Sequence, residues 1–146
     1  MKLYTSYWAQ VRNFPKNLVI LNTTVWPPKW YGPLGYKDKN GIISIDCPPL
    51  KPGASCAGLC NGKCSPKHPE NCAFLKEYRK QLDSIDINNF IAKLFDLGYK
   101  IEKQEHLYTV NFAFVVFEKY DNPCSERRVI QQWLKDNNVE VAEWHK

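Results

Sequence analysis

The stretch VNFAFVVF (Val110–Phe117), running into EKYDNPCSERRVIQQW (Glu118–Trp133), decides the fold. Val110–Phe117 is the most hydrophobic run of the chain. It reads as a central strand, buried on both faces as a strand of a parallel sheet must be. Asn122-Pro123 then predicts an N-cap and first helical residue. Val129, Ile130, Trp133 and Leu134 supply the apolar face of the helix that follows.

Outward from this unit the same alternation repeats. Lys2-Leu3-Tyr4-Thr5 reads as a short strand, and Trp8–Phe14 as a turn or two of helix that Pro15 stops. Leu18-Val19-Ile20-Leu21 reads as a buried strand, and Ile42–Ile45 as a short one. Phe74, Leu75, Tyr78 and Leu82 fall at helical spacing. Asp86 is expected to cap a second helix carrying Ile87, Phe90, Ile91, Leu94 and Phe95, with Gly98 as its terminating residue. Val139–Glu143 closes the chain as a strand. The pattern predicts one α/β domain over residues 1–146, with a largely parallel, Rossmann-like sheet.

The bulk numbers fit one domain: 146 residues, 44% hydrophobic and 24% charged. The net charge of +5, from 20 basic and 15 acidic residues, permits an anionic partner. It falls short of the asymmetry of dedicated nucleic-acid binders. The opening MKLYTSYWAQ lacks the apolar core of an export signal, and no run is long enough to span a bilayer. A cytoplasmic protein without membrane association is therefore expected.

Cys56, Cys60, Cys64 and Cys72 lie close together in a hydrophilic, glycine-bearing segment. In a reducing compartment such a cluster points to metal rather than disulfides. Four thiolates form a closed tetrahedral set for zinc, a structural site in a metal-binding loop of about residues 47–72. An iron–sulfur cluster is the alternative; the x3 spacings match neither the usual zinc CxxC hairpin nor a ferredoxin run. Cys47 or His68 could replace one ligand.

A loop leaving the carboxyl end of a central strand for a helix N-terminus is where α/β domains bind anions. Arg127, Arg128 and Ser125 are accordingly expected to hold a phosphate-bearing ligand, either a nucleotide or nucleic acid. Ser6, Tyr7 and Trp8 join them as ligand-binding candidates, Tyr7 or Trp8 by stacking on a base. The alternative is an enzyme using Cys124 as nucleophile or Glu118 as base, although no histidine lies near Cys124. Tyr4, Phe14, Trp26, Trp30, Tyr31 and Tyr36 interleave with Arg12, Lys16, Lys29, Lys37 and Lys39. They read either as a further stacking surface or, more blandly, as loop packing. A protein-interaction module is the third reading.

The segments Tyr4-Thr5-Ser6-Tyr7, Leu50-Lys51-Pro52 and Phe74-Leu75-Lys76-Glu77-Tyr78 resemble domain-of-unknown-function family 488. So does the tail from Phe114 through Glu118, Cys124 and Arg127 to Glu143-Trp144. The cysteine cluster resembles that of one subgroup. The resemblance implies a small intracellular α/β domain of prokaryotic or phage type, with a site at Glu118, Cys124 and Arg127, and it implies no particular activity. Many relatives carry Cys-His-Arg in the late loop, where this chain has Cys124-Ser125-Glu126-Arg127.

Overall fold

The computed structural model describes residues 1–28, 37, 40–59, 68–119, 121–122 and 124–146. In chain order the strands are β1 (Leu3–Tyr7), β2 (Leu18–Asn22), β3 (Ser44–Asp46), β4 (Asn111–Val116) and β5 (Ala142–Glu143). The helices are α1 (Ala73–Asp83), α2 (Ile87–Glu105) and α3 (Glu126–Asp136), with a 3-10 helix at Trp8–Asn13 after β1. The strands form one five-stranded sheet of order β3-β2-β4-β1-β5, and every pairing in it is parallel. The α/β expectation holds at that level. The order is not the 3-2-1-4-5-6 of the dinucleotide-binding fold, because β4 inserts between β2 and β1.

β4 is central: Phe112 pairs with Leu3 on one side and Val19 on the other. Its residues alternate between two cores, which explains the unbroken apolar run. Phe112, Phe114 and Val116 face α1, α2 and α3, packing with Tyr78, Leu82, Phe90, Leu94, Ile130 and Trp133. Phe90 lies 6.3 Å from Phe114 and 5.8 Å from Trp133, ring centre to ring centre. Ala113 and Val115 face Trp8, Val11, Phe14 and Ile20, with Trp144 closing over Phe14 edge-on at 4.8 Å.

Three boundaries depart from expectation. Gly98 does not end α2, which continues to Glu105 and stops at His106 in the left-handed conformation (φ 55°). Gly98 instead faces the sheet, where a Cβ would lie 3.3 Å from Phe112 Cε2, so its small size serves helix–sheet approach. Asn122 does not cap α3. Its Oδ1 accepts from the Cys124 amide at 2.9 Å in an Asx turn, and Ser125 is the cap, accepting from the Arg127 amide. The expected first helical residue, Pro123, lies outside the described residues. Finally, β3 starts at Ser44 rather than Ile42 and runs to Asp46, and β5 is confined to Ala142–Glu143.

All strands run the same way, so their carboxyl ends share one edge. After β1 the chain passes to the 3-10 helix on one face, and after β4 it passes to α3 on the other. Such divergence opens a crevice at that edge.

Candidate active site

Two hydrogen-bonded structures build this edge. The first is the stretch after β2. Asn22 Nδ2 donates to Thr24 O and Asp46 Oδ1, while Asn22 Oδ1 accepts from the Thr24 amide at 3.0 Å. Thr23 Oγ1 donates to Val115 O at 2.9 Å. Thr24, Val25 and Trp26 are thereby fixed above β2 and β4. The second is the segment before α1, held by Gln81. Gln81 Nε2 donates to Lys51 O (2.6 Å) and Pro49 O (3.1 Å), and Gln81 Oε1 accepts from the Gly53 amide (2.8 Å). The Tyr78 hydroxyl, which burial keeps protonated, donates to Leu50 O.

Between them lies a cleft of about 500 Å³. Its apolar walls are Val25, Trp26, Phe74 and Phe117 with the Pro52–Gly58 segment, and Cys56 is part of that segment. Its hydrophilic side chains are Thr24, Glu118 and Glu126. Glu118 follows β4, and Glu126 is the first residue of α3, so the two chain ends bring two carboxyl groups together. Ser125 Oγ donates to Glu118 Oε2 at 3.1 Å. Burial, and next the negative charge of Glu118 with which it shares a hydrogen bond, raise the Glu126 carboxyl from 4.5 to about 7. The amide at the helix start opposes this and is outweighed. The outcome is a Glu126 carboxyl that holds its proton to higher pH than an ordinary glutamate.

The expected residues are distributed differently. Arg127 is 2% exposed and is spent on the fold: its guanidinium donates to Glu118 O (3.3 Å), Lys119 O and Asn122 O (3.4 Å), and pairs with Glu143. It binds the main chain at Glu118, not the carboxylate. Arg128 is exposed and lines a separate polar cleft of about 370 Å³ with Asp121, Asn122, Arg127, Gln131, Glu143 and His145. Cys124 is partly buried and lines neither cleft. Ser6 is buried and donates to Trp144 O at 2.7 Å. Tyr7 and Trp8 are 6% and 3% exposed, packed in opposite cores, so neither presents a ring face to a base. Their burial, with that of Phe14, corrects the stacking expectation for this part of the chain. Among the described aromatic residues of this part, Trp26 is exposed, at 82%. Lys29, Trp30, Tyr31, Tyr36 and Lys39 lie outside the described residues.

Among the cysteines, Cys60 and Cys64 lie outside the described residues, and no group of three or more metal-binding side chains occurs within them. Cys56 is buried with its thiol 3.8 Å from Gln81 Oε1, and Cys72 precedes α1. Cys47 is buried and its thiol is pushed up to about 12, chiefly by desolvation, which disfavours the thiolate a metal would need. His68 is exposed and faces Glu70 at 3.1 Å.

Glu126, Thr24 and Phe117 were not singled out from the sequence. An acid at a helix start, eight positions after one at a strand end, was the available signal. No family model, curated protein or solved structure matches the chain. Among the described residues no helix is long and apolar enough to cross a membrane.

Proposed function

We propose that the chain is an acid–base enzyme whose working pair is Glu118 and Glu126, acting on a small organic substrate held in the cleft above β2 and β4. The observation that carries this is the pair itself: two hydrogen-bonded carboxyl groups in a largely apolar cleft, where burial and the neighbouring charge raise Glu126 to about 7. Environments that hold two neighbouring acids in different protonation states suit them to opposite roles. Glu118, kept as an acceptor by Ser125, takes a proton from substrate or water. Glu126 delivers its own proton to the departing group. The proton gained by Glu118 then crosses the shared hydrogen bond and restores Glu126. Arg127 acts on loop geometry alone, and Cys124 has no part.

A panel of glycoside, ester and amide substrates, assayed at pH 5 to 9, tests this reading. Turnover with a bell-shaped profile, lost in both Glu118→Gln and Glu126→Gln, is expected. Turnover that survives in the double variant would refute it.

A second reading is favoured by the polar cleft around Arg128. There a phosphate-bearing ligand, nucleotide or nucleic acid, would meet an exposed guanidinium beside Asn122, Gln131 and His145. Arg128→Ala should then reduce the salt slope of oligonucleotide binding by about 1. For the cysteines we retain a structural zinc staple on Cys56, Cys60, Cys64 and Cys72. Cys56 lines the cleft, so a metal held there would stiffen its wall. Elemental analysis of the purified protein tests this.

A further inference from the structure

The geometry points to a planar, uncharged nitrogen heterocycle of nucleobase type as the occupant of the cleft between Trp26, Phe117 and the Glu118–Glu126 pair. This inference rests on the acid–base reading only in placing the ligand in the same cleft. Charge excludes one class first. The described lining residues include two glutamates and no lysine, arginine or histidine, so those side chains offer a phosphate no cation.

The arrangement of polar groups excludes a second class. A sugar carries hydroxyls around its whole rim and needs partners on several sides. Here Thr24, Glu118 and Glu126 are the hydrophilic side chains among the described lining residues, the Thr24 hydroxyl is already donated to Asn22 Oδ1, and the rest of that lining is largely apolar. A ligand with two apolar faces and one polar edge matches that layout. Trp26, 82% exposed, and Phe117, 50% exposed, both line the cleft and present large rings that the fold leaves uncovered. Ring faces of this kind stack on heterocycles with little regard to their identity. The edge is read by the pair, whose carboxyl oxygens left over from their shared hydrogen bond and from Ser125 accept from ring N–H or exocyclic amino groups. The cleft volume of about 500 Å³ suits a small-molecule ligand and leaves space beyond the ring for a sugar.

Equilibrium dialysis of the full chain against free nucleosides, a monosaccharide and inorganic phosphate tests the inference, with Trp26→Ala and Phe117→Ala alongside. Trp26 is on the surface, so its variant is expected to fold. Binding of at least one nucleoside is expected, weakened at least about tenfold in Trp26→Ala, with no saturable binding of monosaccharide or phosphate. Nucleoside binding indifferent to both ring substitutions, or absent altogether, would overturn the inference. So would phosphate or monosaccharide binding as tight as that of nucleosides. Titration of Glu126 measured separately keeps the two readings apart. An acid titrating near pH 7 in a chain that binds no nucleoside sinks this inference and leaves the acid–base pair standing.

Discussion

Arg127 and Glu143 meet at 3.0 Å, with the arginine side chain 3% and the glutamate side chain 18% exposed. Glu143 Oε1 also accepts from Thr5 Oγ1 (2.9 Å) and Gln131 Nε2 (3.2 Å), so the pair joins α3, β5 and the middle of β1. Removing the guanidinium would leave Glu143 buried and unpaired and would release the main chain at 118–122. Arg127→Ala is expected to cost about 3–5 kcal/mol, the usual consequence of breaking a buried ion pair. Arg127→Lys should recover little, since one ammonium cannot reach the same carbonyls. Arg128→Ala should stay within about 0.5 kcal/mol of the parent. Urea denaturation decides between them; equal effects at the two arginines would contradict this assignment.

Gln81 holds the cleft wall through its contacts to Pro49, Lys51 and Gly53. Gln81→Ala should destabilise by about 1–3 kcal/mol, because main-chain groups lose their partners. Amide exchange at Gly53 should accelerate while exchange in β4 falls only with global stability. An unchanged Gly53 amide would show that the wall is held by something else.

Much of the architecture was legible because β4 and β2 are compact apolar runs and the three helices carry periodic apolar patterns, which packing obeys. Gly98 and Asn122 were misread because residue type alone does not separate a helix end from a close approach, or a cap from an Asx turn. Arg127 looked like a phosphate ligand for the same reason: its position beside a helix start is visible in sequence, whereas its burial against Glu143 depends on β5 pairing with β1. The Glu118–Glu126 pair spans a strand end and a helix start, and only the fold determines that their side chains meet. Tyr7 and Trp8 show the converse error, aromatic residues suggestive of stacking but required by the two cores.

Cys47, with its thiol pushed up to about 12, should resist alkylation in the folded protein at pH 8 and react only after unfolding. Peptide mapping after iodoacetamide treatment measures this. Native labelling at the rate of a free thiol would contradict it.

Glu126 makes stability depend on pH in an unusual direction for a carboxyl group. Its folded-state value is raised from 4.5 to about 7, so its contribution is complete below 4.5 and is lost as pH rises through 7. Glu143, raised by burial, acts in the same sense. The loss attributable to Glu126 should approach about 3 kcal/mol. Thermal unfolding followed from pH 4.5 to 8 should show the decline, and Glu126→Gln should flatten it. A wild-type curve already flat over this range would be inconsistent with a buried acid.

Carbon-13 NMR of labelled glutamate side chains, recorded from pH 3 to 9, tests the central claim most directly. The account predicts that Glu126 titrates near 7 and shifts downward in Glu118→Gln, where the neighbouring charge is gone. A Glu126 carboxyl that titrates at about 4.5, or that ignores the loss of Glu118, would contradict it.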